Sequence, residues 1–218
     1  MNMNKAIQNT INQKISLLSQ ERQLAFGIIL SERFLPNYFA FYFVEKWGNP
    51  MVLLNGIDLL KNIAYQGNYE TSELELIDEL IESITPDLDD FPSNILASMA
   101  LDVSSMLCEC FVFVKNHNIK HIEICSSVSF GSLEMYVQKR DNLRHDLKTE
   151  ELNKYFSQDS LIKHEIEYQL KLLDELTGNI KISPKLYIDK TMAAPMPELV
   201  LFLSSLQDKN RFMQISNI

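Results

Sequence analysis

The sequence predicts a single all-α domain of about seven to nine helices, on three observations. Apolar residues recur every three to four positions through most of the chain, the period of a helix with one buried face. Glycine numbers 6 and proline 7 in 218 residues, below the about 7% and 5% of an average chain, which disfavours turn-rich sandwiches and glycine-looped α/β folds. Hydrophobic residues at 46% and charged residues at 22% suffice for a packed core and exclude disorder. The expected division is a helical domain over residues 1–178 and a C-terminal extension over 179–218, packed on it and carrying one further helix.

The elements follow in order. Ile7, Ile11, Ile15 and Leu18 share one face, and Leu24 and Ile28 resume after Ser19, so the first segment reads as two short helices or one kinked helix. Pro36 interrupts it, and Asn37 is placed to cap an aromatic helix from Tyr38 to Trp47, whose Phe39, Phe41, Tyr42 and Phe43 belong to the core. Gly48-Asn49-Pro50 turns the chain, and Pro50 opens a helix that runs to Gln66 before Gly67-Asn68. Ser72 and Glu75 have capping-box spacing, and Leu74, Ile77, Leu80, Ile81 and Ile84 form a regular apolar stripe that stops at Thr85-Pro86.

Asp87 to Pro92 is a loop, and Ser93 is placed to cap a long helix reaching Lys115. After the polar break Asn116 to Asn118, Ile119 to Asn142 reads as a helix, although Ile122-Glu123-Ile124 alternates as a strand would. Thr149 to Leu176 reads as one helix carrying Leu161, Ile166, Leu170, Leu173 and Leu176, closed by Gly178-Asn179. Beyond it lie Pro184, Pro195 and Pro197, and only Glu198 to Gln207 has a convincing helical pattern.

The apolar window Phe91 to Val114 is long enough to span a bilayer. Asp102 and Glu109 argue against that, since each carboxylate at mid-bilayer costs on the order of 2.5 kcal/mol. With Ser98 and Ser105 they fall at offsets of four, seven and eleven, which marks a central bundle helix with one polar stripe. Cys108, Cys110 and Cys125 are too few and irregular for a disulfide framework, and Met1 to Gln13 lacks the apolar core of a signal peptide. A reducing, cytoplasmic setting and no membrane are expected.

The chemistry-bearing patterns are weak. Asp87, Asp89 and Asp90 are oxygen donors on a loop, but no glycine stands at the sixth position from Asp87 and Ser98 occupies the twelfth, so an EF-hand is excluded. Solvated acids at a helix end account for them better. His117 and His121 are four apart without the glutamate of a zincin. No Glu-x-x-His, Gly-x-Gly, Gly-x-Ser-x-Gly or P-loop pattern occurs, so the di-iron, dinucleotide, hydrolase and nucleotide fingerprints are absent. Cys108 and Cys110 fall on different helical faces and read as small core residues. Asp102, Glu109, Glu32 and Arg33 are candidates for a buried polar network, structural rather than acid/base in character. No catalytic residue, metal or cofactor is assigned.

Glu32-Arg33-Phe34-Leu35-Pro36-Asn37-Tyr38, followed by Phe41, resembles the opening motif of the YjaG-like bacterial proteins, domain of unknown function 416. The resemblance continues at Pro86-Asp87-Leu88-Asp89-Asp90-Phe91, at Asp102, at Leu133-Glu134-Met135, and at Glu167, Gln169 and Leu172-Leu173, covering residues 18–176. It implies a compact all-α protein of the bacterial cytoplasm and no established reaction.

The charge is −9 and its distribution is uneven. Between Asn62 and Val114 lie eleven of the 29 Asp and Glu and none of the 20 Lys and Arg. Acid on this scale repels a phosphate backbone, so nucleic acid is not an expected partner. Glu70, Glu73, Glu75, Asp78, Glu79, Glu82, Asp87, Asp89 and Asp90 are the expected partner-binding residues. The reading is a non-enzymatic binding protein whose acidic face engages a basic protein, in concrete form an immunity protein that neutralises a cationic bacterial toxin. A self-associating housekeeping protein, with the acids as solvating charge, and an unrecognised metal-dependent enzyme are the alternatives.

Overall fold

The computed structural model describes residues 5–144, 146–178 and 181–192. Among these residues there are nine helices and no strand: α1 (Lys5–Ser16), α2 (Gln20–Glu45), α3 (Pro50–Gln66), α4 (Thr71–Ser83), α5 (Ile95–Asn116), α6 (Lys120–Arg140), α7 (Thr149–Gln158), α8 (Ser160–Thr177) and α9 (Pro184–Met192). The all-α expectation holds, and the strand-like alternation at Ile122-Glu123-Ile124 lies inside α6.

The apolar content explains which helices are central. Helix α5 has buried residues on most of its circumference, including Met99, Val103, Leu107, Phe111 and Phe113, and α2 matches it with Phe26, Phe34, Tyr38 and Phe41. The two run antiparallel, for Asn94 at the start of α5 donates to Glu45 at the end of α2 while Gly27 near the start of α2 lies against Cys110 near the end of α5. The pairing of α2 with α5 is the most extensive in the fold, and α6 and α3 pack beside it. Helix α5 is long and apolar enough to cross a membrane by length and composition, and most of its apolar window is instead buried in this core.

Where a strong local signal exists, the elements begin and end as expected. Asn49 accepts from the Met51 N–H at 3.1 Å, Pro50 fills the first turn, and Gly67 closes α3 at φ 74°, a left-handed conformation that glycine adopts without penalty. The break between α1 and α2 falls beside Ser19.

Five expectations are corrected. Helix α2 runs straight through Pro36, and Asn37 caps nothing. Pro36 itself is exposed. Burial of Phe34, Leu35, Tyr38 and Phe41 around it outweighs the about 3 kcal/mol that proline costs inside a helix. Phe39, Tyr42, Phe43 and Trp47 are only partly buried, because the end of α2 presents one side to solvent. The Ser72–Glu75 box does not form, since α4 starts two residues earlier with Glu70 at its N-cap.

Ser93 does not cap α5. It adopts φ 60° and passes the role to Asn94, whose side chain accepts from the N–H groups of Leu96 and Ala97. The segment from Thr149 is two helices, divided where Asp159 takes an extended conformation and accepts from Leu161 N–H at 2.8 Å and Ile162 N–H at 3.3 Å.

Helix α9 was not expected. It begins at Pro184 after Ser183, and Leu186 and Tyr187 are buried in the same core as α2. The helix expected over Glu198 to Gln207 lies outside the described residues.

Candidate functional site

The expected polar network is divided among separate sites. Arg33 is not joined to Asp102 or Glu109. Its guanidinium makes two parallel bonds to Glu165, at 3.1 and 2.8 Å, with both side chains essentially inaccessible. The Tyr168 ring covers the guanidinium at 3.7 Å. Gln169 donates to Glu165 and to Ser129, each at 2.8 Å, and accepts from Ser126 at 2.7 Å. This cluster fastens α2, α6 and α8 together and has the geometry of a structural ion pair. Glu32 pairs instead with Lys61 at 2.6 Å. Asn37 is fully buried, and among the described residues its amide has no hydrogen-bond partner.

Asp102 stands apart. Burial pushes its carboxyl up from 3.8 to about 6, partly offset by the Ser132 hydroxyl beside it. Between those two values the folded protein therefore holds a proton that the unfolded chain releases. The stabilisation from this proton is complete below pH 3.8 and is lost as pH rises through about 6. Asp102→Asn is expected to raise stability by about 1–2 kcal/mol at pH 8 and to leave it unchanged near pH 4, measured by urea denaturation at both values. Equal destabilisation at the two pH values would contradict this account.

The predicted acidic residues do share a surface. Glu70, Glu73, Glu75, Glu79 and Glu82 on and before α4, and Asp87, Asp89 and Asp90 on the loop after it, are all exposed. Among the described residues none of these eight is paired with a cation. Asp78 is the exception: it is half-buried and takes Lys115 of α5 at 2.5 Å, a bond that raises the lysine pKa. Helix α4 is held by Leu74 and Ile81, with the Ile77 and Ile81 side chains meeting Gly56 of α3. Its end is fixed by Tyr38, which donates to the Ile84 carbonyl at 2.5 Å.

The fold adds residues that the sequence did not bring together. Between the end of α4, the following loop and α5 lies an open groove of about 430 Å³, lined by Glu82, Thr85, Pro86, Asp87, Ser105, Cys108 and Glu109. Its negative potential is felt by Cys108, whose thiol is pushed up to about 12 by burial and then by Asp78, Glu82 and Glu109. Glu109 on the rim meets His121 Nδ1 at 2.6 Å. Half of the polar stripe on α5, Ser105 and Glu109, thus extends the acidic face.

His117 closes α5 in a left-handed conformation while His121 lies on α6. Among the described residues no three His, Cys, Asp or Glu side chains are gathered for a metal ion. Cys110 does not pair with Cys108 but lies 3.9 Å from Cys125, both buried in the seam between α5 and α6.

Helix α4 also exposes apolar surface. Leu80, which periodicity assigns to the buried stripe, is 39% exposed, and Leu76 one turn before it is 56% exposed. No curated protein matches the sequence. A crystal structure of a DUF416 family protein from Shewanella baltica OS155 is similar over 84% of this chain and 91% of its own, with 22% identity and a TM-score of 0.73. At that identity the likeness is one of fold. Residues 10–188 match the family described as "Protein of unknown function (DUF416)", a span that includes α9 up to Ile188. The chain belongs to the DUF416 family.

Proposed function

We propose that the protein is a non-enzymatic binding protein whose α4 face engages a basic protein partner. The observation that carries this reading is the set of eight exposed carboxylates on α4 and its flanks, none of them in a salt bridge among the described residues, with Lys115 near Glu75 and Glu82 as the cation that already acts on this face. Elsewhere the described acids are commonly paired, as in Arg140 with Asp141 and Asp159. A one-sided field of this kind accelerates encounter with a cationic surface and is weakened by salt, since the screening length is about 8 Å at physiological ionic strength. The concrete form we favour is an immunity-type protein that neutralises a cationic toxin. A nuclease is a fitting target, because its substrate channel must be positive to hold phosphates.

The test is affinity capture from the source cells at low salt, with the native chain and with Glu75, Glu79 and Glu82 changed to lysine. Asp78 is kept because it holds Lys115. A basic protein recovered in equal ratio with the native chain, released by salt and missing from the charge-reversed chain, is the expected result. Equal recovery by both chains would refute the acidic face as the binding surface.

A further inference from the structure

Helix α4 is not uniformly acidic on its outer side. Leu76 and Leu80 stand one turn apart on one face, 56% and 39% exposed. Counting 100° per residue, Glu73 flanks this stripe on one side, and Glu79 and then Glu75 flank it on the other. All three carboxylates are exposed and none is salt-bridged among the described residues, although Glu75 lies near enough to Lys115 to help raise its pKa.

The charge selects among occupants. A second copy laid face to face would oppose glutamate to glutamate, which costs several kcal/mol. An anionic lipid surface is repelled for the same reason. The described secondary structure is helical, so there is no strand edge for a partner to extend, and side-chain packing on helix ridges is the mode that remains.

We infer that the partner lays a cationic amphipathic helix along α4, its apolar side over Leu76 and Leu80 and its lysines or arginines over Glu73, Glu75 and Glu79. This rests on the acidic-face reading and goes further: charge provides encounter and orientation, while the two leucines provide an apolar contact that excludes water and salt cannot screen. Binding should therefore retain a salt-resistant component.

The test uses two synthetic peptides of equal charge, a helical leucine/lysine amphipathic 14-mer and an oligolysine, titrated calorimetrically into the full chain at low and moderate salt. The expected result is binding of the amphipathic peptide at least tenfold tighter than oligolysine. Leu76→Ser with Leu80→Ser should abolish that preference and leave oligolysine binding unchanged. Both leucines are exposed, so the double variant should fold, which circular dichroism checks. Unchanged affinity of the double variant for the amphipathic peptide would overturn the inference. If the two peptides bind alike and both are lost on changing Glu75, Glu79 and Glu82 to lysine, the acidic face stands and the apolar stripe falls. If neither peptide binds, both readings fail together.

Discussion

Replacing Glu165 with leucine should lower stability by about 3–5 kcal/mol, a large share of what a domain of this size possesses. The loss comes less from the missing attraction than from what remains. Arg33 keeps its charge in a site with no access to water, beneath the Tyr168 ring, and Gln169 loses the carboxylate that accepts from it. Arg33→Met with Glu165→Leu should recover much of the loss, because the pair's desolvation nearly cancels its attraction. Urea denaturation of the two single variants and the double variant measures this as a coupling energy. Single variants within about 1 kcal/mol of the native chain would show that the ion pair is wet.

The second large effect is expected at Gly27, where α2 approaches both α5 and α6. A Cβ there would lie 2.8 Å from Cys110 Sγ, closer than real Cβ contacts come, and 3.1 Å from Ile122 Cδ1, which would have to give by a few tenths of an ångström. Gly27→Val should therefore cost about 1–3 kcal/mol or more, by forcing apart the helices that carry the core. Cys110→Ala removes the nearer obstacle, so Gly27→Ala should be far better tolerated in the Cys110→Ala background than alone. The same loss in both backgrounds would place the strain elsewhere. The contact ties this glycine to the antiparallel register of α2 and α5, which in turn places Asn94 beside Glu45 at the other end.

Which features were legible follows from how local their causes are. Helix α3 could be read completely, because Asn49, Pro50 and Gly67 act on their own neighbours. The acidic face was legible for a similar reason: nine of its acids lie within 21 consecutive residues, on α4 and the turns that flank it, so they stay near one another, whereas Asp102 of the same lysine-free run is carried away on α5. Pro36 misled because its local penalty is outweighed by burial against distant helices. Asp159-Ser160 and Ser183-Pro184 did carry start signals, which the continuing apolar stripe obscured in one case and the proline-rich character of the tail in the other. The pairing of Arg33 with Glu165, 132 residues apart, has no local cause at all. The same is true of the arrival of Ser105, Cys108 and Glu109 at the edge of α4. Leu80 was misread because a stripe of five apolar residues at helical spacing is wider than the strip that α4 buries with Leu74 and Ile81.

If, as we propose, the α4 carboxylates drive association with a basic protein, the rate of that association must depend on their charge. The most direct measurement is the association rate of the captured partner with the native chain and with the chain carrying lysine at 75, 79 and 82. The expected result is a rate that falls at least about tenfold between low and high salt for the native chain, and a much slower rate at low salt for the charge-reversed chain. Equal rates for the two chains at low salt would contradict it.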